Sequence, residues 1–319
     1  MQSTDNAQTK LPLVAVLGPT AVGKTETAIA IAERWNGEIV SADSRLLYRG
    51  MDIGTAKPSA TELARVPHNL IDIANPDETL SLAVFQEQAA AAIADIHSRG
   101  KLPLLVGGTG QYMQAIVDGW LPPELPPQPA LRTALAGWAE QIGGDALHAR
   151  LAVLDPAAAA NIDARNVRRT LRALEVALAT GRRFSEQRRQ TPSPYRVLRL
   201  GLTRPRAELY ARIDARIEAM LAAGWLDEVR RLLAAGYAPS LPSLSAIGYA
   251  QLAQHLAGAL TLNEAVTEIK RLTRSFVRRQ YAWFKPADPT IEWVDLSDAD
   301  AQTHIDAAVR NFLNQASLE

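Results

Sequence analysis

No cysteine occurs anywhere in the 319 residues. That absence excludes a disulfide framework, a thiolate nucleophile, an iron–sulfur cluster and any zinc site built on thiolates, and it favours a reducing compartment. Long apolar runs are missing too. None approaches the roughly 18 residues of a membrane span, and the start, Met1 to Lys10, is polar where a secretory signal would carry an apolar core. The expectation is a soluble, cytoplasmic chain, with a monomer as the default. Net charge is also absent, with 34 Lys+Arg against 34 Asp+Glu. Hydrophobic residues at 47% and charged residues at 21% make a globular composition rather than a disordered one.

The zero balance hides two basic clusters. From Asp163 to Arg216 there are fourteen arginines against five acidic residues, a local +9, and from Glu268 to Lys285 six basic residues stand against one, a local +5. One such cluster is as well explained by a solvated helix face; two of them in a neutral chain suggest a polyanion held at one place. His68, His97, His148, His255 and His304 are scattered without metal-like spacing, so they read as structural or exposed.

Periodicity divides the chain. Leu11–Leu17 reads as a buried strand, 24–35 as a helix, 38–41 as a second strand, 82–97 as an Ala-rich helix and 101–106 as a third strand ending in Gly107-Gly108. Strands alternating with helices predict a parallel sheet covered on both faces. A proline-dense connector, 121–129, then opens a helical stretch with segments at 131–141, 146–154 and 166–180, closed by Thr191-Pro-Ser-Pro194. A strand over 195–202 returns to the core, and helices follow at 206–223, 226–235 and 262–284. The expected architecture is α/β: a P-loop NTPase-like, nucleotide-kinase-like core over 1–120 and 195–319, with an all-helical subdomain inserted at 121–194 and a helical C-terminal part.

Gly18-Pro19-Thr20-Ala21-Val22-Gly23-Lys24-Thr25 satisfies G-x-x-x-x-G-K-[ST] between a predicted strand and a predicted helix. Backbone N–H groups and the helix N-terminus make an anion cradle, Lys24 adds a point charge, and the Thr25 hydroxyl can ligate Mg²⁺. The motif names a ligand group, not a reaction. No Asn-Lys-x-Asp guanine reader occurs, and the third strand ends in Gly107-Gly108-Thr109 rather than in the acidic residues of an ATPase motor. Asp43 instead follows the second strand. Ligands of open α/β sheets sit off the carboxyl ends of strands, so Gly18, Asp43 and Thr109 should converge on one crevice. There Asp43 is a candidate general base or magnesium-shell ligand rather than only a turn cap. Thr109, within Gly107-Gly-Thr-Gly110, is a ligand contact or a plain turn residue.

Together these segments resemble the tRNA dimethylallyltransferases, also called tRNA isopentenyltransferases or the IPP transferase family. The resemblance is carried by Gly18–Thr25, Ser41-Ala-Asp-Ser44, Tyr48-Arg-Gly-Met-Asp-Ile-Gly-Thr-Ala-Lys-Pro58, Pro67-His-Asn-Leu-Ile-Asp72, Gly107–Gly110, Arg172-Ala-Leu-Glu-Val176, Ile247-Gly-Tyr249 and Arg279-Gln-Tyr-Ala-Trp283. It runs from about residue 12 to 295, and Met51–Pro58 is its most specific part.

The resemblance implies transfer of a dimethylallyl group from dimethylallyl diphosphate to N6 of the adenosine at tRNA position 37, just 3′ of the anticodon. It further implies that Mg²⁺ near Thr25, Lys24 and the cradle hold the departing diphosphate. It places Asp43 as the base that accepts the amine proton, Thr109 against the target base, and Arg216 as a diphosphate clamp. By the same carry-over Asp43, Ser44, Arg45, Leu46, Thr109, Arg132, Arg168, Arg169 and Arg172 meet the tRNA, with the inserted helices gripping the anticodon stem. Ser245 and Ala250 stand where many members carry basic residues, and Arg168-Arg-Thr-Leu171 replaces a commoner Gln-Arg-Leu start. A small-molecule or nucleoside kinase with ATP in the loop, and a non-catalytic RNA-binding protein, remain as alternatives that leave the Met51–Pro58 match or Asp43 without a task.

Overall fold

The computed structural model describes residues 10–123, 125, 128–187 and 189–315. The polar start (residues 1–9), three positions of the proline-dense connector (124, 126 and 127) and Arg188 of the larger basic cluster lie outside them.

Strand β1 (Leu11–Leu17) leads through the glycine-rich loop into helix α1 (Lys24–Arg34), which returns to β2 (Gly37–Ser41). A short helix α2 (Ala60–Arg65), held by a Ser59–Glu62 capping box, and a two-residue strand β3 (His68–Asn69) follow. Then come α3 (Leu82–Ser98), β4 (Leu102–Gly107) and α4 (Gly110–Val117).

The chain next runs through β5 (Trp120–Leu121), α5 (Pro129–Ile142), α6 (Gly144–Leu154), α7 (Pro156–Ala160) and α8 (Val167–Thr180) to β6 (Arg189–Gln190). It continues with β7 (Tyr195–Thr203), α9 (Arg206–Ala222), α10 (Trp225–Ala234), α11 (Tyr249–Leu256), α12 (Leu262–Trp283), β8 (Glu292–Asp295) and α13 (Ala301–Gln315).

Six strands form one parallel sheet in the order β3-β2-β4-β1-β7-β8. Its central strands are apolar at successive positions because both faces are covered, as parallel sheets require. In β1, Val14 and Val16 pack with α1 and the C-terminal helices α9 to α13, while Leu13, Ala15 and Leu17 pack with α3 and α4. Ile39 and Val40 of β2, and Leu104 and Leu105 of β4, divide between the same two cores. Among the described residues no helix is long and apolar enough to cross a membrane.

The chain falls into two compact units, residues 1–117 with 193–319, and residues 118–192. The second has its own core, in which Leu135, Leu147, Leu151, Leu174 and Phe184 pack from α5, α6, α8 and the turn after α8. An antiparallel pair, Trp120 opposite Gln190 and Leu121 opposite Arg189, joins its entry and exit strands.

Candidate active site

Register brings three strand ends together. β2, β4 and β1 are neighbours, with Ser41 beside Val106 and Leu17 beside Gly107, so Gly18, Asp43 and Thr109 emerge side by side from the carboxyl edge.

The glycine-rich loop is shaped to present N–H groups. Gly23 precedes α1 at φ 123°, a conformation L side chains rarely adopt, and offers no side-chain cap. The first N–H groups of α1 are therefore left for an anion. Two loop carbonyls are occupied elsewhere: Arg212 Nε donates to Ala21 O at 3.0 Å and Arg204 Nε to Val22 O at 2.9 Å. Lys24 Nζ folds back to donate to Gly18 O at 3.1 Å and Pro19 O at 2.7 Å. Burial pushes its pKa down to about 8, against the pull of Asp43 and with a further push from Arg216. Burial likewise lowers Arg216; Asp43 opposes that and Arg212 adds to it. Asp43 is thus the carboxylate that both buried cations sense.

A cavity of about 490 Å³ opens here, and Thr20, Ala21, Asp43, Ser44, Arg45, Thr109 and Arg216 all line it. Asp43 Oδ1 accepts the backbone N–H of Arg45 at 2.9 Å, which fixes the carboxylate in an Asx turn. Thr109 Oγ1 accepts from Ser44 N at 3.2 Å, so the ends of β2 and β4 are tied at the cavity wall. The lining also has apolar members, Ile213, Ile217, Met220, Ile247, Ile269 and Phe276. Two residues of the glycine-rich loop, a carboxylate, hydroxyls and apolar side chains therefore line one space.

The remaining expected residues are placed as follows. Gly18, Pro19, Val22, Gly23, Lys24 and Thr25 belong to the loop and the start of α1 but do not line the cavity, and Leu46 is half-buried. The Arg45 guanidinium donates to Pro242 O at 2.9 Å and Ser243 O at 3.2 Å. Arg132, Arg168, Arg169 and Arg172 belong to the second unit. There Arg132 and Arg172 both bond to the buried carboxylate of Glu175, at 2.9 Å each to Oε2. Burial pushes that carboxyl up, but the two arginines outweigh it and hold it below the usual range. Four of the histidines hydrogen-bond backbone carbonyls: His68 to Val66, His97 to Pro12, His148 to Ala159 and Ile162, and His255 to Leu260.

Sequence reasoning gave no role to Gln280, Glu228, Trp225, Gly54 or Lys57. Gln280, on α12 and 3% exposed, accepts from Thr20 N at 2.9 Å and donates to Gly108 O at 3.1 Å, linking the phosphate loop to the Gly-Gly turn. Glu228 on α10, 2% exposed, accepts from the N–H groups of Asp52 (2.9 Å), Ile53 (2.7 Å) and Gly54 (3.2 Å) and from the Tyr249 hydroxyl at 2.5 Å. Burial first, then the Glu228 charge, raises the Tyr249 pKa. Gly54 lies flat against Trp225, where a Cβ would sit 1.9 Å from the indole nitrogen. Lys57 Nζ bonds Tyr48 O and Asp52 Oδ1, both at 2.6 Å, and pairs with Asp72. The Met51–Pro58 stretch owes its shape to these contacts. Its glycine, its lysine and the later Gly-Tyr segment were the available signals.

A parallel sheet with a helix N-terminus free of a side-chain cap after β1 and a carboxylate held in a turn after β2 defines a P-loop-like α/β protein. The family model for IPP transferase matches residues 46–287. A tRNA dimethylallyltransferase of Roseiflexus castenholzii is 55% identical over 306 residues, covering 96% of this chain and all of that one (100%). Among solved structures, the full-length tRNA isopentenylpyrophosphate transferase of Bacillus halodurans aligns with a TM-score of 0.72 at 40% identity, over 97% of this chain and 98% of the other. A eukaryotic dimethylallyltransferase, captured acting on tRNA, aligns with a TM-score of 0.78 at 25% identity, over 96% and 80%. The chain belongs to the IPP transferase family.

Proposed function

We propose that this enzyme transfers the dimethylallyl group of dimethylallyl diphosphate to N6 of the adenosine at tRNA position 37. The observation that carries the reading is the lining of one cavity by Asp43, Thr109, Arg216 and apolar side chains, with Asp43 within electrostatic reach of Lys24 and Arg216 and Thr109 hydrogen-bonded to Ser44. A kinase would leave those apolar side chains without a partner.

In the reaction the bond from C1 of the donor to its diphosphate oxygen breaks as the bond from C1 to N6 forms, and diphosphate leaves. The α1 N-terminus, Lys24 and Arg216 stabilise the charge gathering on the departing oxygens. The lone pair of N6 is delocalised into the purine, so removal of its proton by the Asp43 carboxylate assists attack. Thr109 positions the base edge. An anticodon-loop adenosine is inexpensive to extrude from its stack, which suits a recessed site.

The donor set also suits Mg²⁺ carried in with its diphosphate. Among the described residues no cluster of three or more His, Cys, Asp or Glu is arranged for a metal, while Thr25 offers a hydroxyl and Asp43 a carboxylate, and Mg²⁺ keeps most of its ligands as phosphate oxygens and water. Bound there, the ion would neutralise charge on the leaving group. We take the protein to act as a monomer whose inserted unit grips the anticodon stem through Arg132, Arg168, Arg169 and Arg172, with Asp43 to Leu46 meeting the loop.

The test is incubation with an anticodon stem-loop RNA, Mg²⁺ and either dimethylallyl diphosphate or ATP, followed by mass spectrometry of the RNA. A prenyl-sized gain at the adenosine after the anticodon, only with the prenyl donor, is the expected result. ATP consumption without any gain would return the site to kinase chemistry. Asp43→Asn should retain RNA binding and lose on the order of 10²-fold in turnover; near-normal turnover would put the base elsewhere.

A further inference from the structure

The α9–α12 helix pair presents two different faces. Ile269, Thr273, Phe276 and Gln280 of α12 line the reaction cavity. Lys270, Arg271, Arg274 and Arg278, offset around the same helix, instead line a separate groove of about 410 Å³ with Thr267 and with Arg206 and Tyr210 of α9. Of the seven groove residues five are basic and none is acidic.

The charges are arranged around an aromatic ring. The Arg206 guanidinium lies 5.2 Å and that of Arg274 5.4 Å from the centre of the Tyr210 ring, and Arg206 Nε donates to the Tyr210 hydroxyl at 3.1 Å. Three carboxylates outside the groove lining take part of the charge. Asp214 pairs with Arg274 at 2.5 Å, Glu218 with Lys270 at 2.6 Å and Glu268 with Arg271 at 2.6 Å. Counting them, five minus three still leaves +2. The side chain of Arg271 is 65% exposed, so it meets solvent rather than a protein core. From Thr267 to Arg278 the row spans about 16 Å along the helix, longer than a single phosphate needs.

We propose that this groove is a second docking surface for the sugar–phosphate backbone of the RNA substrate, distinct from the cavity that receives the reacting adenosine. A row of guanidinium and ammonium groups flanking an aromatic face suits a chain of phosphates with an accessible base or ribose, whereas one small anion would span only a fraction of its length. The groove supplies affinity and salt dependence, not chemistry, because its side chains leave α12 on a face other than the cavity's. This rests on the reading of the chain as a tRNA-prenylating enzyme.

The experiment measures binding of fluorescently labelled full-length tRNA to the whole protein by anisotropy between 50 and 200 mM KCl, alongside single-turnover prenylation at saturating RNA. In K270Q/R271Q the slope of log K against log[salt] should fall by about 2 and binding at low salt should weaken about tenfold, with prenylation at saturation unchanged. E218Q/E268Q, which releases the same two cations from their carboxylates, should tighten binding several-fold; a merely structural role for these pairs predicts no gain. Binding isotherms of both variants that superimpose on the wild type at every salt concentration overturn the proposal. So does loss of co-sedimentation with phosphatidylserine vesicles in K270Q/R271Q while tRNA binding stays intact, which would assign the groove to a lipid surface. Failure of the wild type to prenylate any RNA, with the salt slope still responding to the variants, would instead overturn the functional reading and leave the groove assignment standing.

Discussion

Lys24 carries a stability cost at the level of one side chain. Its ammonium is buried, and its pKa falls from the ordinary 10.5 to about 8 chiefly through desolvation. The unfolded chain therefore holds this proton to a higher pH than the folded one, and stability gains from this group as pH rises from about 8 through 10.5. Below about 8 the penalty is fully present. K24M should accordingly raise the Tm of the ligand-free protein at pH 7 while weakening use of the diphosphate donor, and the gain should shrink as the scan moves to pH 10. The expected size at pH 7 is on the order of 1–3 kcal/mol, because the two hydrogen bonds to Gly18 O and Pro19 O are lost at the same time. A lower Tm for K24M at pH 7 would mean those bonds outweigh the desolvation. The motif from Gly18 to Thr25 was legible from residue spacing. The partners that tune Lys24 were not, since Asp43 and Arg216 lie far away in the chain and meet it only through the sheet.

Among the elements, α10 and α12 act as the struts of the site. Trp225 and Glu228 stand three residues apart on α10, on one face of the helix, and both are buried against the Met51–Gly54 segment. Glu228 accepts four hydrogen bonds with its two oxygens, and a glutamine amide nitrogen can accept none of them. E228Q should cost about 1–3 kcal/mol in urea unfolding and raise KM for the donor through displacement of Gly54 and Thr55 at the cavity wall. An unchanged unfolding midpoint would show that water replaces the lost acceptor.

The same logic governs α5 and α8. Glu175 is 1% exposed and is satisfied by Arg132 and Arg172 together, so removing both arginines should destabilise the inserted unit by about 3–5 kcal/mol. Adding E175Q should restore much of that loss. Loss of RNA binding that E175Q rescues together with stability would mark these arginines as structural.

Long periodic segments such as α3, α9 and α12 could be read from the sequence to within about two residues. The two-residue strand β3, the four-residue β8 and the helix α4 that starts inside Gly107-Gly-Thr-Gly110 could not. Such elements are too short to show a period, and they exist because a neighbour pairs with or covers them, as β7 does for β8 through Leu200 to Thr203.

For the whole molecule the chain divides into two compact units. Residues 1–117 with 193–319 hold the cradle and the carboxylate, and residues 118–192 form a helical unit with its own hydrophobic centre. Arg168 and Arg169 stand exposed in the first turn of α8. R168Q/R169Q should weaken tRNA binding and flatten its salt dependence by about 1 to 2 in slope, with the rate at saturating RNA preserved. A fall in that rate with binding intact would place these arginines in the chemistry instead.

The local chemistry of this protein is written in its primary structure. Glycine and lysine spacing specifies a glycine-rich loop between strand and helix, apolar runs specify buried parallel strands, and arginine density is read directly off the chain, because each depends on neighbours a few residues apart. What folding had to settle is which distant groups share an environment. Asp43 faces Lys24 and Arg216, Gln280 closes the phosphate loop against Gly108, and one face of α12 enters the cavity while another carries a basic groove. Those relations depend on sheet order and helix rotation, which are set by packing across hundreds of residues rather than by any single stretch of chain.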